Sequence, residues 1–318
     1  MTSAKRRQAD SGLPGGVNRR TFLKFCGLMA TTLALPKSYA GAIATALAGS
    51  PRTPVIWLAG SDCTGDSESL LRSFDPSFSS LILDVISLDY HESLMVPSGY
   101  GAEKSLNDTL KGYAGNYICI LEGAIPTANP GYCTIAGDSI LNILRRVAST
   151  ARVNIAVGAC AVDGGIVAAA PNPTKATGFQ GAVPGVTNLI NLPGCPVNGV
   201  NLVATIVYWL TYSRLPPLDS RRRPLFAYGH EIHDEDACER YPFYEADLFV
   251  RSWGDEGHKK GYCLMRMGCR GPITHANCYT RNWNQNTSWP IGAGHGCIGC
   301  TESRFWDRAA SLYQPVDD

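Results

Sequence analysis

The sequence lacks an excess of charge of either sign, a high density of charged residues, and a long apolar run. Its 318 residues carry 28 Lys and Arg against 27 Asp and Glu, and only 17% of the residues are charged. A net charge of +1 argues against a nucleic-acid binder held by electrostatics. A hydrophobic content of 45% argues against wholesale disorder and supplies a sizeable core. No apolar run is long enough to span a bilayer securely, and the C-terminal residues carry no anchor.

The N-terminal region, residues 1–48, has the pattern of a signal peptide. Arg19 and Arg20 directly precede a moderately apolar stretch, and small residues follow, with candidate cleavage sites at 38–40 and 46–48. The run R-R-T-F-L-K fits a twin-arginine signal, and a membrane-anchoring helix is the alternative. Proteins exported by that route cross the membrane folded and commonly hold a cofactor. The signal therefore predicts a periplasmic protein and points to a metal or cluster.

Residues 49–213 alternate between short apolar segments and helical segments. This alternation predicts an α/β domain with a parallel sheet covered on both faces. The predicted strands are 54–58, 81–88, 117–121, 153–157 and 186–192, and the predicted helices are 67–74, 103–110, 139–148 and 201–212.

Three of the chain's twelve cysteines follow three of these strands: Cys63, Cys160 and Cys195. Ligands bind at the carboxyl ends of the strands in open α/β sheets, so these thiols are candidates for one shared site. Three unrelated buried thiols are the alternative, because free cysteine packs as a small hydrophobe. Asp66 forms a C-x-x-D pair with Cys63. The residues alone favour Asp66 as the cap of the helix that begins there.

Residues 214–318 form a second, smaller segment in which periodicity fades while aromatic residues, glycine and cysteine increase. A C-x-x-C pair on a glycine-rich loop, residues 297–300, has metal-ligand spacing. Iron–sulfur clusters, zinc and disulfides all remain open on spacing alone, although the export route argues against disulfides. The candidate residues are His233, Cys238, Cys263, Cys269, Cys278, Cys297 and Cys300.

Eight motifs follow one another along nearly the whole chain: RRTFLKFCG, PVIWLAGSDCTGDSESLLR, ISLDYHESLM, EGAIPT, GACAVDGGIVAAAPNPT, NLPGCPVN, KGYCLMRMGCRGPIT and WPIGAGHGCIGCTESRFWD. With these motifs the chain resembles the small, electron-transferring subunit of [NiFe] hydrogenases. The related subunit of respiratory complex I resembles the first domain only. The resemblance implies a flavodoxin-like first domain, an iron–sulfur second domain, and a large-subunit partner that splits H₂ at a nickel–iron centre.

The resemblance implies a proximal [4Fe–4S] cluster in the first domain. Its ligands would be Cys63, Asp66, Cys160 and Cys195. Asp66 stands where the family has a fourth cysteine, and a carboxylate is a harder ligand that should change the potential of the cluster. The alternative is a [3Fe–4S] cluster bound by the three cysteines. Gly65 and Gly165 stand where some oxygen-tolerant members carry extra cysteines, so that tolerance mechanism is expected to be absent.

Two further clusters are implied in the second domain. The distal [4Fe–4S] cluster would be held by His233, Cys238, Cys263 and Cys269. The first pair is two residues further apart than usual, so His230 and Asp236 remain as alternatives. The medial [3Fe–4S] cluster would be held by Cys278, Cys297 and Cys300, with Pro290 at the place of a fourth cysteine.

These assignments imply a one-electron relay from the large subunit to an external acceptor such as a cytochrome, with any membrane association through another subunit. A hydrogen sensor of the same family is the alternative, but sensors stay in the cytoplasm. The remaining class of protein is a non-catalytic scaffold whose second half is cross-linked by zinc or disulfides. Cys119 is expected in the core and Cys133 in a structural position. For Glu68 and His91 we expect packing or hydrogen bonding.

Overall fold

The computed structural model describes residues 19–48, 52–73 and 85–308. Within them the strands are β1 Thr53–Ala59, β2 Ile86–His91, β3 Ile118–Glu122, β4 Thr134–Ile135, β5 Asp138–Ser139, β6 Val153–Val157 and β7 Leu189–Leu192. Five of them form one sheet in the order β2-β1-β3-β6-β7, and every pairing in it is parallel. Strands β4 and β5 form a short antiparallel hairpin.

Thirteen helices accompany these strands in the described residues. Four additional short 3₁₀ turns lie at 130–132, 165–168, 265–267 and 271–273. The helices are α1 Arg19–Thr32, α2 Tyr39–Ala48, α3 Gly65–Leu71, α4 Tyr100–Gly112, α5 Ile140–Thr150, α6 Gly158–Asp163, α7 Phe179–Ala182, α8 Gly199–Tyr212, α9 Leu225–Tyr228, α10 Tyr241–Glu245, α11 Glu256–Lys259, α12 Cys278–Arg281 and α13 Phe305–Arg308.

Strands β3 and β6 in the middle of the sheet are buried along their whole length, which is why their sequences are mostly apolar rather than alternating. Side chains on one face of β1, Val55 and Trp57, join a core under α8, whereas Ile56 and Leu58 join the opposite core with α5. The predicted α/β fold with a parallel sheet is confirmed. In the order β2-β1-β3, the strands that follow β1 are added first on one side of it and then on the other, as in flavodoxin-like sheets.

Several predicted bounds are wrong by a few residues. The strand predicted at 81–88 is described only from Ile86, and it continues to His91; residues 74–84 lie outside the described part. The strand predicted from 186 begins at Leu189, because a turn closed by the Val186 amide and the Val183 carbonyl precedes it. The helix predicted at 67–74 begins at Gly65 and ends at Leu71.

The second half has little regular structure between the end of α8 and residue 308. Its helices are four or five residues long. Its core combines apolar side chains with three candidate ligands, Cys238, Cys269 and Cys297. Packing here depends on residues that are expected to bind a cofactor.

The predicted signal segment folds against the first domain as helices α1 and α2. Cys26, Met29 and Ile43 are fully buried in the core that includes α8. The two candidate cleavage sites lie at the start and at the end of α2. In the described ranges, no helix has both the length and the apolar character needed to cross a membrane.

Candidate metal centres

The three strand-end loops of the predicted proximal site meet at one edge of the sheet. The Ala159 amide donates to the Gly194 carbonyl at 2.6 Å, which ties the start of α6, directly after β6, to the loop after β7. Burial raises the pKa of the Cys160 thiol to about 12, and the charges of Cys195 and Asp66 add to the rise. Cys63 interacts with the same thiol. The four residues predicted to hold the proximal cluster therefore lie together.

Asp66 is directed into this site and does not cap a helix. Helix α3 begins at Gly65, and Asp66, which is 8% exposed, lies in its first turn. Its Oδ1 accepts a hydrogen bond from the Val197 amide at 2.5 Å. A Cβ at Gly158, where φ is +78°, would lie 2.0 Å from Oδ2. The expectation that Asp66 caps the helix is wrong, because its carboxylate is held between the loops after β6 and β7.

Glu122, at the end of β3, caps the helix instead, and the sequence reasoning missed it. Its Oε1 accepts hydrogen bonds from the Asp66 amide at 2.9 Å and the Ser67 amide at 3.2 Å. Its Oε2 accepts from Ser67 Oγ at 2.5 Å and Trp57 Nε1 at 3.1 Å. The available signal was an acidic residue directly after the apolar run I-C-I-L, where burial requires partners. Burial also raises the pKa of Asp66 to about 8, and the charge of Glu122 adds to that rise.

His91 extends this network on the side away from the sulfur atoms. Its Nδ1 accepts from the Ser93 amide at 3.2 Å, so the hydrogen-bond pattern assigns the proton of the neutral ring to Nε2. That nitrogen lies 3.0 Å from Ser67 Oγ, which donates to Glu122. Burial lowers the His91 pKa to about 4 and keeps the ring neutral. Glu68 is exposed and pairs with Arg72 at 2.6 Å.

The positions of the additional cysteines of oxygen-tolerant members border this site. A Cβ at Gly165 would lie 2.3 Å from Cys160 Sγ, and one at Gly65 would lie 3.0 Å from Cys63 Sγ. Both positions are glycine here, so no further thiol is available at either place. Cys119 is fully buried in β3, as expected of a core residue, and Cys133 is half-buried.

The predicted distal residues line one small cavity in the second half: His233, Cys238, Cys263 and Cys269. His233 Nε2 is buried, and among the described residues it has no hydrogen-bond partner. Burial lowers the His233 pKa and keeps the ring neutral, as a metal ligand must be. The alternatives His230 and Asp236 are exposed and do not line this cavity. An orphaned imidazole nitrogen among three thiols fits an iron–sulfur cluster.

The distal thiols lie close to one another. Burial raises the pKa of Cys238, and the charge of Cys269 adds to the rise. Burial also raises the pKa of Cys263, and the charge of Cys238 adds to that rise. Cys269 Sγ accepts two backbone hydrogen bonds, from Gly271 at 3.5 Å and from Cys297 at 3.2 Å. Backbone amides directed at a sulfur atom suit a thiolate bound to iron.

The predicted medial residues line a cavity of about 630 Å³ between the two halves of the chain. Cys297 Sγ lies 3.6 Å from Thr274 Oγ1 and accepts from the Gly299 amide at 3.3 Å. Pro290, at the position of a fourth ligand, has no side-chain atom that could bind iron. Residues from both halves contribute to the lining, which includes Gly65, Cys195, Cys278, Pro290, Cys297 and Cys300.

The cysteine thiols are available as ligands. All twelve cysteines are free, so none is paired in a disulfide. Across residues 19–48, 52–73 and 85–308, no three His, Cys, Asp or Glu side chains converge tightly enough to hold a single metal ion. A cluster separates its protein ligands by its own width, so thiols at this spacing are compatible with a cluster.

Two family models match the chain in succession. The model described as "NADH ubiquinone oxidoreductase, 20 Kd subunit" matches residues 63–209. The model for the C-terminal part of the NiFe/NiFeSe hydrogenase small subunit matches residues 228–313. The first covers the predicted proximal residues and four of the five strands of the sheet, β1 lying before it, and the second covers the predicted distal and medial residues.

Individual relatives extend over nearly the whole chain. The uptake hydrogenase small subunit of Afipia carboxidovorans is 46% identical over 95% of this chain and 82% of its own length. The periplasmic [NiFe] hydrogenase small subunit 1 of Nitratidesulfovibrio vulgaris is 45% identical over 94% of each. A solved Ni-Fe-Se hydrogenase chain from Desulfomicrobium baculatum, 32% identical, superposes with a TM-score of 0.78 over 84% of this chain and all of that one. With these matches added to the fold and the thiol-lined sites, the chain belongs to the small-subunit family of [NiFe] hydrogenases.

Proposed function

We propose that this chain relays electrons one at a time from the nickel–iron centre of a large subunit, where H₂ is oxidised, to an external acceptor. The observation that carries the proposal is the succession of three thiol-lined sites: the sheet edge, the cavity between the halves, and the small cavity around His233. When bound, iron–sulfur clusters supply the one-electron carriers. The residues of this chain fix the position, hydrogen bonding and solvent exposure of each carrier.

At the proximal site, Cys63, Cys160 and Cys195 would bind iron through sulfur and Asp66 through a carboxylate oxygen. The Val197 amide and the Gly158 backbone hold that carboxylate in place. Because burial raises the pKa of Asp66 to about 8, iron must displace a proton to bind there. A carboxylate also donates less charge to iron than a thiolate does, so the cluster is expected to be more labile than one held by four cysteines.

In the second half, Cys278, Cys297 and Cys300 would hold a [3Fe–4S] medial cluster, because Pro290 supplies no fourth donor. His233 with Cys238, Cys263 and Cys269 would hold a [4Fe–4S] distal cluster. The unpartnered Nε2 of His233 supports this assignment.

We also assign the chain to the periplasm and residues 1–48 to a twin-arginine signal. The paired arginines at the start of α1 support the assignment, as does the periplasmic relative that is 45% identical. A cytochrome is a suitable acceptor for single electrons leaving the distal site.

The proposal is tested by EPR and Mössbauer spectroscopy of the purified heterodimer, with iron quantified for each copy of this chain. About eleven irons and one oxidised [3Fe–4S] signal are expected if Asp66 completes a proximal cube. An Asp66→Ala variant should then convert that cube into a second [3Fe–4S] cluster, and Asp66→Cys should preserve it with a lower potential.

Two other results would change the assignment. About ten irons with two [3Fe–4S] signals in the unaltered chain would leave the proximal site with three cysteine ligands. Absence of iron would overturn the relay altogether. Glu68→Ala serves as the control, because Glu68 is exposed in the same helix and its carboxylate pairs with Arg72.

A further inference from the structure

The medial and distal sites meet at one backbone hydrogen bond. The Cys297 amide donates to Cys269 Sγ, with nitrogen and sulfur 3.2 Å apart. In return, the Arg270 amide donates to the Cys297 carbonyl at 2.7 Å, so the two segments are joined in both directions. Both cysteines are buried. Under the proposed function, on which this inference rests, Cys297 belongs to the medial cluster and Cys269 to the distal one.

Gly296 permits this close approach. A Cβ at position 296 would lie 3.0 Å from Cys269 Cα and 3.2 Å from both Cys269 Cβ and the Cys269 amide nitrogen. Two of these three atoms belong to the backbone, which cannot move aside as a flexible side chain can. A side chain at 296 would therefore require the Cys269 segment to give way by a few tenths of an ångström, and we expect the hydrogen bond that follows in the chain to lengthen.

The proximal and medial sites also adjoin each other. Cys195 and Cys300 both line the cavity between the halves. Burial raises the pKa of the Cys300 thiol, and the charges of Cys278 and Cys195 add to the rise.

We propose that the hydrogen bond from the Cys297 amide to Cys269 Sγ is the electron path between the medial and distal clusters, and that Gly296 is the positioning residue that keeps this bond short. The path runs through the side chain and amide of a single residue and crosses one hydrogen bond. One electron leaves the medial cluster, which is oxidised, and enters the distal cluster, which is reduced. No bond forms or breaks, and no proton crosses. The same amide stabilises the more negative, reduced distal form and so raises its potential.

The hydrogen bond itself is measured in the unaltered heterodimer. Electron–nuclear double resonance of the reduced distal cluster, in H₂O and in D₂O, should detect a strongly coupled exchangeable proton. Labelling with ¹⁵N-cysteine separates the two donors, because Cys269 Sγ also accepts from Gly271 at the longer distance of 3.5 Å. A ¹⁵N coupling from cysteine supports the proposal. Exchangeable coupling confined to a glycine nitrogen, or no such coupling, overturns it.

The positioning role is tested by Gly296→Ala against Gly185→Ala. The control makes the same change at an exposed glycine where a Cβ would meet nothing within 4 Å. For Gly296→Ala we expect loss of the proton coupling, a lower distal potential and slower medial-to-distal transfer after flash reduction. All three quantities should stay near wild type in the control.

The outcomes separate this inference from the proposed function. Gly296→Ala with intact clusters and unchanged coupling, potential and transfer rate overturns the inference while leaving the relay in place. If that variant fails to assemble its clusters, the labelling result on the unaltered protein decides. Absence of iron from the unaltered protein overturns the proposed function itself.

Discussion

Glu122 accepts hydrogen bonds from the Asp66 and Ser67 amides, the Ser67 hydroxyl and the Trp57 indole, and it is 1% exposed. All of these partners donate, so the network matches an ionised carboxylate, which only accepts. Burial raises the Glu122 pKa and thereby opposes ionisation, and the hydrogen bonds from Ser67 counteract that rise. The carboxylate connects β1, β3 and α3 next to Asp66, one of the predicted proximal ligands.

Replacing Glu122 with Gln is expected to destabilise the folded chain by roughly 1–3 kcal/mol. The new amide group must direct its N–H bonds at groups that also donate, which leaves buried donors unpaired. The measurement is the thermal unfolding midpoint of the heterodimer. Glu68→Gln is the matched control, since an exposed change of this kind normally stays within about 0.5 kcal/mol. Equal shifts in the two variants would contradict the role given to Glu122.

The comparison of Asp66 with Glu122 marks the limit of sequence reasoning at this scale. Local rules favour Asp66 as a cap, because helix caps are usually a few residues from the amides they serve. The residue that caps α3 comes from the end of β3, and only the pairing of β3 with β1 brings it there. Cys63, Cys160 and Cys195 were predictable as a group, because parallel strands end at one edge.

Among the elements, the segment after α8 is tied to the segment that carries Cys300 by buried ion pairs. Arg223 bonds Asp219 at 2.7 Å and Glu302 at 3.0 Å, and Arg221 bonds Glu302 at 2.6 Å. Burial alone would raise the Glu302 pKa, but the His275 amide and the Arg223 charge outweigh it, and the pKa is lowered. The pairs hold the C-terminal loop against the segment that follows α8.

Glu302→Gln is expected to cost about 2 kcal/mol at pH 7, because Arg223 loses one of its two carboxylate partners and Arg221 loses its ion pair with Glu302. A carboxyl whose pKa is depressed by folding stabilises the protein above its unfolded pKa, and that contribution is lost as the pH falls through the folded value. The difference between wild type and variant should therefore shrink below about pH 4.5, the ordinary value for Glu. This difference in stability is measured from urea unfolding midpoints at pH 7 and in acid, with the exposed Glu256→Gln as control. A difference that grows in acid would contradict the argument.

The elements of the first half were predictable where a segment has one clear periodicity. Strand β6 was predicted with its observed bounds, because all five of its residues are apolar or buried within the sheet. Helix α4 extends beyond the predicted 103–110 to Tyr100–Gly112, since glycine and serine obscure its first turn. In the second half, short helices separated by turns leave no period to detect.

Over the whole molecule, stability is expected to be uneven once iron is removed. The sheet has apolar cores on both faces. The second half has one small core, and that core includes Cys238, Cys269 and Cys297. Where metal ligands form the core, metal binding supplies folding free energy, and removal of the metal withdraws it.

Chelation of iron from the isolated small subunit should therefore unfold the second half selectively. Hydrogen exchange measured by mass spectrometry should show lost protection after residue 214, while peptides of β3 and β6 stay protected. The iron-loaded chain under the same conditions is the control. Loss of protection in both halves together, or in neither, would contradict this prediction.

The cavity of about 630 Å³ between the halves has a consequence for modular engineering. Of the residues that line it, Gly65 and Cys195 belong to the first half of the chain, whereas Cys278, Cys297 and Cys300 belong to the second half. An exchange of the second half for that of a relative would have to bring matching strand-end loops with it. The two halves would therefore have to be exchanged together, although a family model fits each of them separately.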